Sequence, residues 1–211
     1  MLSDAVAGKL QASLGGADEL SDDRNPIARN TQFEMYVFTL LVLGRCYVRV
    51  DEPDLRTTFG DEIIGIAAKR VASPRKLIVR SQEAAGQLSN HGLRGFIALN
   101  MDQQVTLPTP PADSIPAEQR GARFNAAMQP LFKVERALCT NPAVIGMLVF
   151  LQCTFQMNAN TKSESLNEYF VQVREFANGD DPSAEARSFF DRVFEGCRAA
   201  SRLLSLALSP S

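Results

Sequence analysis

The sequence contains few of the side chains that soft-metal and redox sites require. It has one histidine, four cysteines and no tryptophan among 211 residues. No two cysteines lie within a few positions of each other, which excludes a CxxC pair or a zinc-ligand cluster; they are Cys46, Cys139, Cys153 and Cys197. Three of the four lie in apolar surroundings, where a free cysteine behaves as a small hydrophobic residue, so we expect a reducing, cytoplasmic compartment.

Long apolar runs are also missing. The most apolar stretch, residues 143–155, has 13 residues, whereas a membrane-spanning helix needs about 20. Residues 1–25 are acidic and lack the apolar core of a signal peptide, so we expect no membrane partner. Hydrophobic residues make up 45% of the chain and charged residues 22%, which is the composition of an ordinary globular protein with one core.

The chain has almost no net charge, and this total alone argues against a nucleic-acid partner. Its formal charge is −2, from 22 Lys and Arg against 24 Asp and Glu. The distribution is uneven, however, because residues 66–94 contain six basic residues and one acidic residue, Glu83. Such a cluster is the electrostatic footprint of a site for a phosphate backbone, although a solvated basic helix face is the alternative. The candidate nucleic-acid-binding residues are Arg70, Arg75, Lys76 and Arg80.

The pattern of apolar and turn residues between positions 25 and 101 predicts a mixed sheet between helices. A helix begins at Asn25-Pro26 and ends at Gly44, with apolar residues at helical spacing between them. Three strands, a second helix and a fourth strand follow, at 46–50, 54–58, 62–69, 75–90 and 95–101. The first three strands are close enough in sequence to be antiparallel, whereas the fourth follows a crossover helix and is expected to be parallel to one of them. The fold class is therefore α/β.

The flanking segments divide the chain into three expected regions. Residues 1–25 form a leader with a short helix near 3–13, and residues 26–157 form the α/β domain, which includes a proline-rich loop at 102–117, a helix at 118–138 and a strand at 143–152. Residues 158–211 are expected to be a helical extension packed on the core, because 166–177 and 184–208 are amphipathic. This C-terminal half is also the predicted surface for a second copy of the chain or for a partner protein.

One pair of charged residues stands out in the predicted hairpin. Asp54 begins one strand, and Lys69 ends the next, which is otherwise apolar. A turn at 59–61 places Asp54 opposite residues 66–68, so that the two charged groups meet at one end of the sheet. A carboxylate beside an ammonium group is suited to hold a hard cation and a phosphate together. Taken singly, each residue is more commonly a turn residue or a solvated strand end.

Pro53-Asp54 and Ile66-Ala67-Ala68-Lys69, in this order of helices and strands, resemble the PD-(D/E)XK nuclease superfamily, whose fold is that of restriction endonucleases. The resemblance covers about residues 27–101. In that family the first helix often contributes a glutamate, and Glu34 matches it. Some branches add a glutamine on the second helix and a tyrosine four residues later; Gln87 matches the glutamine, and His91 takes the tyrosine position.

The resemblance implies a hydrolase that cleaves phosphodiester bonds, with DNA more expected than RNA. Asp54 and Glu34 would hold Mg²⁺ or Mn²⁺, Lys69 would stabilise the transition state, and Gln87 would orient water or contact a phosphate oxygen. The catalytic set implied is thus Asp54, Lys69, Glu34 and Gln87.

The chain departs from the family pattern at the second acidic position, which is Ala67. Glu34 on the first helix, or Glu83 one helical turn before Gln87, could compensate. Mg²⁺ held by only two carboxylates would keep several waters, which suits an ion that dehydrates reluctantly. The alternative is a catalytically inactive nuclease-fold protein that binds nucleic acid or serves as a protein-interaction subunit of a larger complex.

Overall fold

The structure is a computed structural model that describes residues 4–15, 26–71, 73–101, 129–157, 164–175 and 184–208. Five α-helices lie in these ranges: α1 Asp4–Ser13, α2 Pro26–Leu43, α3 Leu77–Asn90, α4 Leu131–Leu138 and α5 Ala184–Leu208. The strands are β1 Val48–Asp51, β2 Asp54–Phe59, β3 Glu62–Arg70, β4 Arg94–Asn100, β5 Val144–Met157 and β6 Glu164–Glu175. A short 3₁₀ turn, Pro74–Lys76, precedes α3.

The strands form one mixed sheet of six, in the order in which they occur along the chain. β1, β2 and β3 are antiparallel neighbours, β3, β4 and β5 are parallel, and β6 returns antiparallel to β5. The prediction of an α/β fold with a mixed sheet flanked by helices is confirmed, and so is the parallel pairing across the crossover helix α3. The turn between β2 and β3 is tight, since Phe59 pairs with Glu62 and Gly60 has a φ of 57°, a conformation that glycine adopts without steric cost.

Two hydrophobic cores lie on opposite faces of the sheet. On one face, α3 and α4 cover alternate residues of β3 and β4, among them Ala67, Ile97 and Leu99. On the other face, α2 and α5 cover the intervening residues, and the ring of Phe96 stacks on that of Phe189 with centroids 4.4 Å apart. This alternation is what a sheet covered by helices on both sides requires.

The C-terminal region differs from the prediction in one element. α5 confirms a helical C-terminal region, but residues 164–175 are a strand, and the amphipathic-helix reading of 166–177 is wrong. β6 pairs with β5 from Met157↔Glu164 to Gly146↔Glu175. The sequence Tyr169–Val173 is aromatic and β-branched at most positions, which favours a strand, and the long apolar strand β5 supplies the backbone partner. The same residues also fit the spacing of an amphipathic helix, because a short apolar run is compatible with both the helical period and the strand period.

Other predictions about the flanking segments fall partly outside the described residues. The helix near 3–13 and the strand at 143–152 are confirmed, the latter as part of β5. Of the helix predicted at 118–138, residues 131–138 are helical, while the residues before 129 and the loop at 102–117 lie outside the described part of the chain. Within the described ranges, no helix has the length and apolar character needed to cross a membrane.

Candidate active site

Asp54 and Lys69 meet at the end of the β2–β3 pair. The register places Leu55 opposite Ile66. Asp54, one residue earlier, is therefore level with Ala67, near the end of β3. The backbone N–H of Ala68 donates a hydrogen bond to Asp54 Oδ2 at 2.8 Å, and Lys69 Nζ lies 3.5 Å from the same oxygen. The two side chains are 12% and 17% exposed. Their predicted meeting is confirmed, and both are largely removed from solvent.

A second ion pair lies beside the first. Glu34 on α2 pairs with Lys9 on α1, and their side chains are 13% and 29% exposed. The charges of Glu34 and Lys9 are close enough to Asp54 to affect its pKa. Glu34, Asp54, Lys69 and Lys9 therefore form one group of two carboxylates and two ammonium groups, which we call the charge cluster.

Burial raises the pKa of Asp54 to about 6 from an ordinary value of 3.8. The ammonium of Lys69 opposes this rise, the carboxylate of Glu34 adds to it, and the Ala68 N–H and the Lys9 charge lower the pKa again. The balance means that desolvation and a neighbouring negative charge outweigh two positive charges. A carboxyl group whose pKa is displaced by burial and by specific charged partners is typical of functional sites.

Lys9 is the residue that the sequence did not identify. It lies in a segment predicted to be a leader, and its partner Glu34 is 25 positions away in the chain. One signal was present: Lys9 is the only basic residue before Arg24, in a segment that is otherwise acidic.

Of the two glutamates that could compensate for Ala67, the structure brings Glu34 to Asp54 and engages Glu83 elsewhere. Glu83 pairs with Arg80 on the exposed side of α3, with Oε2 2.7 Å from Arg80 Nη1. Of the two glutamates, Glu34 is thus the one whose charge acts on Asp54.

Gln87 and His91 lie at the C-terminal end of α3. His91 Nε2 is 3.8 Å from Oε2 of Glu52, two residues before Asp54. The backbone N–H of His91 donates to the carbonyl oxygen of Gln87 at the end of the helix, as expected for a helix C-cap. Gln87 Oε1 is buried without a hydrogen-bond partner among the described residues, so this side chain has an acceptor available. The structure records no contact between Gln87 and Asp54 or Lys69, and its catalytic role stays a prediction.

The position that carries the second acidic residue in the resembling family is closed to solvent. Ala67 is 0% exposed and belongs to the core beneath α3. Among the described residues, no group of three or more His, Cys, Asp and Glu side chains is placed to hold a metal ion. The negative charge of Glu34 raises the pKa of Asp54, and repulsion between two carboxylates is relieved by a cation bound to both. This donor set fits Mg²⁺ or Mn²⁺, which accept one or two carboxylates together with water and substrate phosphates.

The basic residues predicted to bind nucleic acid lie mostly at the same end of the sheet as Lys69. Arg75 and Lys76 are exposed in the 3₁₀ turn that follows β3, and Arg80 follows in the first turn of α3. Arg70 ends β3 and is half-buried. Arg94 does not belong to this group. It begins β4 at the level of Ile64, and its guanidinium lies 3.6 Å from Glu62 at the other end of the sheet.

The fold and the site together define an α/β protein with a half-buried carboxylate and lysine cluster at one end of its sheet. No protein-family model, no curated protein and no solved structure matches this chain. Membership of the PD-(D/E)XK superfamily, the cytoplasmic location and an interface in the C-terminal half therefore stay predictions.

The raised pKa of Asp54 predicts a pH-dependent stability. Below pH 3.8 the carboxyl group is protonated in both the folded and the unfolded chain. As the pH rises from 3.8 to about 6, the unfolded chain loses this proton while the folded chain retains it, so stability is lost, by about 3 kcal/mol in total for a shift of this size. Asn at position 54 stays neutral. The advantage of Asp54→Asn over wild type should therefore grow between pH 4 and pH 8.

Urea unfolding of both proteins in EDTA, at several pH values, measures this difference. A stability difference that stays constant from pH 4 to pH 8 would show that the carboxyl group at position 54 has an ordinary pKa.

Proposed function

We propose that this chain is a metal-dependent nuclease that hydrolyses phosphodiester bonds, with DNA as its substrate. The observation that carries the proposal is the ion pair of Asp54 and Lys69 at one end of the sheet, with Glu34 close enough for its charge to affect the pKa of Asp54. These are the residues expected from the family resemblance, and they come from three different elements. Burying a helix carboxylate, a strand carboxylate and a strand lysine close together costs free energy, and this cost supports a functional role for the group.

The proposed roles follow from the chemistry of each group. Asp54 and Glu34 would hold Mg²⁺, which would supply Lewis acidity and offset the negative charge of the phosphodiester. Lys69 is held against Asp54, so its ammonium is fixed before substrate arrives and is positioned to stabilise the charge that develops in the transition state. Gln87 offers a buried amide oxygen as an acceptor for water.

The surrounding basic residues account for substrate binding in this proposal. Arg75 and Lys76 are exposed next to the end of β3, with Arg70 and Arg80 on either side of them in sequence. Exposed arginine and lysine side chains bind the phosphate backbone of a nucleic acid without reading its base sequence. These basic residues give the end of the sheet that carries Lys69 a local positive charge.

The proposal is tested by incubating the protein with end-labelled DNA and, separately, with RNA, in Mg²⁺, in Mn²⁺ and in EDTA. We expect cleavage of DNA that requires the cation and disappears in the double variant Asp54→Ala/Lys69→Ala. Lys133→Met is the control, because Lys133 is an exposed lysine on α4 outside the charge cluster. Cleavage that persists in the double variant would contradict the assignment of the site.

A second candidate function, a non-catalytic nucleic-acid-binding module, is favoured by one observation. Ala67 removes a carboxylate, and the two that remain already face two ammonium groups. A cluster that is neutral without metal could serve only structure, while the exposed basic residues bind nucleic acid. Titration with Mg²⁺ by calorimetry separates the two functions. If the protein binds DNA but takes up no Mg²⁺, even with DNA present, the result supports the non-catalytic nucleic-acid-binding module.

A further inference from the structure

We propose that Lys9 is the counter-ion of Glu34 in the cation-free site and releases it when a divalent cation binds, so that helix α1 sets the metal affinity of the site. This inference rests on the proposed function. It concerns a residue outside the segment that resembles the nuclease family.

Lys9 is held in the site by the packing of α1 on α2. Val6 of α1 is buried, and the side-chain amide of Gln32 on α2 donates a hydrogen bond of 2.8 Å to the carbonyl oxygen of Ser13, the last residue of α1. Lys9 lies between these two contacts, and it pairs with a glutamate that is only 13% exposed. The pair thus differs from an incidental surface ion pair, which leaves both side chains in solvent.

The charge balance explains why a counter-ion is present. A carboxylate removed from solvent needs an opposite charge nearby, and the charge cluster contains two such carboxylates. Lys69 serves Asp54, and Lys9 serves Glu34. Without Lys9, no positive charge would be paired with Glu34, and the full negative charge of Glu34 would act on Asp54.

The same balance predicts the exchange. A divalent cation bound between Asp54 and Glu34 needs the oxygen lone pairs that Lys9 occupies, and it repels the ammonium group. The lysine stem is flexible enough for the ammonium to move away while α1 stays in place. With Lys9 released, Asp54, Glu34, Lys69 and the cation together carry a charge of +1, which favours a phosphodiester only after the cation has bound. Metal and nucleic acid are therefore expected to bind in that order.

The test is the affinity of the DNA-free protein for Mn²⁺, measured by calorimetry at neutral pH. Lys9→Met removes the competing charge, so we expect it to bind Mn²⁺ about tenfold more tightly than wild type. Lys133→Met, the matched change outside the cluster, should bind Mn²⁺ like wild type. Equal or weaker binding by Lys9→Met would overturn the inference, because Lys9 would then hold Glu34 in place for the cation.

Two further variants guard against an effect of misfolding. Lys9→Gln retains a polar side chain that can still donate to Glu34, and it should also bind Mn²⁺ more tightly than wild type. Lys9→Arg retains the charge and should not. Thermal unfolding with increasing Mn²⁺ gives a second readout, since a ligand that binds the folded state raises the midpoint. If neither wild type nor the neutral variants bind Mn²⁺, with or without DNA, both the inference and the proposed function fail. If wild type binds and the neutral variants bind no more tightly, the inference alone fails.

Discussion

Replacing Lys69 by methionine is expected to lower the rate of DNA cleavage by about 100- to 1000-fold. The ammonium group is held by Asp54 and the Lys69 side chain is only 17% exposed, so the charge acts on the transition state with little competition from bulk water. Methionine keeps the length and much of the volume of the side chain but has no charge. Single-turnover cleavage at saturating protein isolates this step from product release.

The matched control for this variant is Lys133→Met, which should cleave at the wild-type rate. Thermal unfolding of Lys69→Met in EDTA shows whether the fold survives the loss of the cation beside Asp54. If Lys69→Met is folded and cleaves DNA within threefold of the wild-type rate, Lys69 has no catalytic role.

Replacing Gly196 by alanine is expected to destabilise the fold by about 2 to 3 kcal/mol. Gly196 lies in α5 where it crosses α2, and a Cβ at this position would overlap the backbone carbonyl of Leu40. The opposing residue Gly44 is in the same situation, since its Cβ would overlap the carbonyl oxygen of Arg192. Both obstacles are backbone atoms, so relief requires the helices to separate. Urea unfolding measures the loss.

Gly86→Ala provides the matched comparison for this second prediction. Gly86 lies inside helix α3, and a Cβ there would meet no atom within 4 Å. Alanine at this position should stabilise the protein by up to about 1 kcal/mol, because alanine is the better helix former. Equal effects of the two substitutions would show that α2 and α5 do not approach closely. The crossing matters for the site because α2 carries Glu34.

The parts of the site that sequence reasoning reached are those that local rules determine. A tight turn at 59–61 sets the register of β2 against β3, and that register alone brings Asp54 to Lys69. Glu34 was identified through the family resemblance, and in the structure its charge is close enough to affect the pKa of Asp54.

The parts that were missed depend on contacts between distant segments. Lys9 meets Glu34 only because α1 packs on α2, and no periodicity within residues 4–13 predicts that packing. β6 is a strand because β5 presents a free edge along its whole length, whereas its own sequence fits a helical spacing as well. In both cases tertiary structure decides between alternatives that local sequence leaves open.

The central claim is that Asp54 and Glu34 together hold a divalent cation, and a crystal structure of the protein with Mn²⁺ tests it most directly. The anomalous signal of manganese locates the ion independently of the refined protein. The account predicts a peak about 2.0 to 2.3 Å from one carboxylate oxygen of Asp54 and one of Glu34, with Lys9 moved away from Glu34. A well-ordered site with no anomalous peak at these two carboxylates, in crystals that contain saturating Mn²⁺, would contradict it.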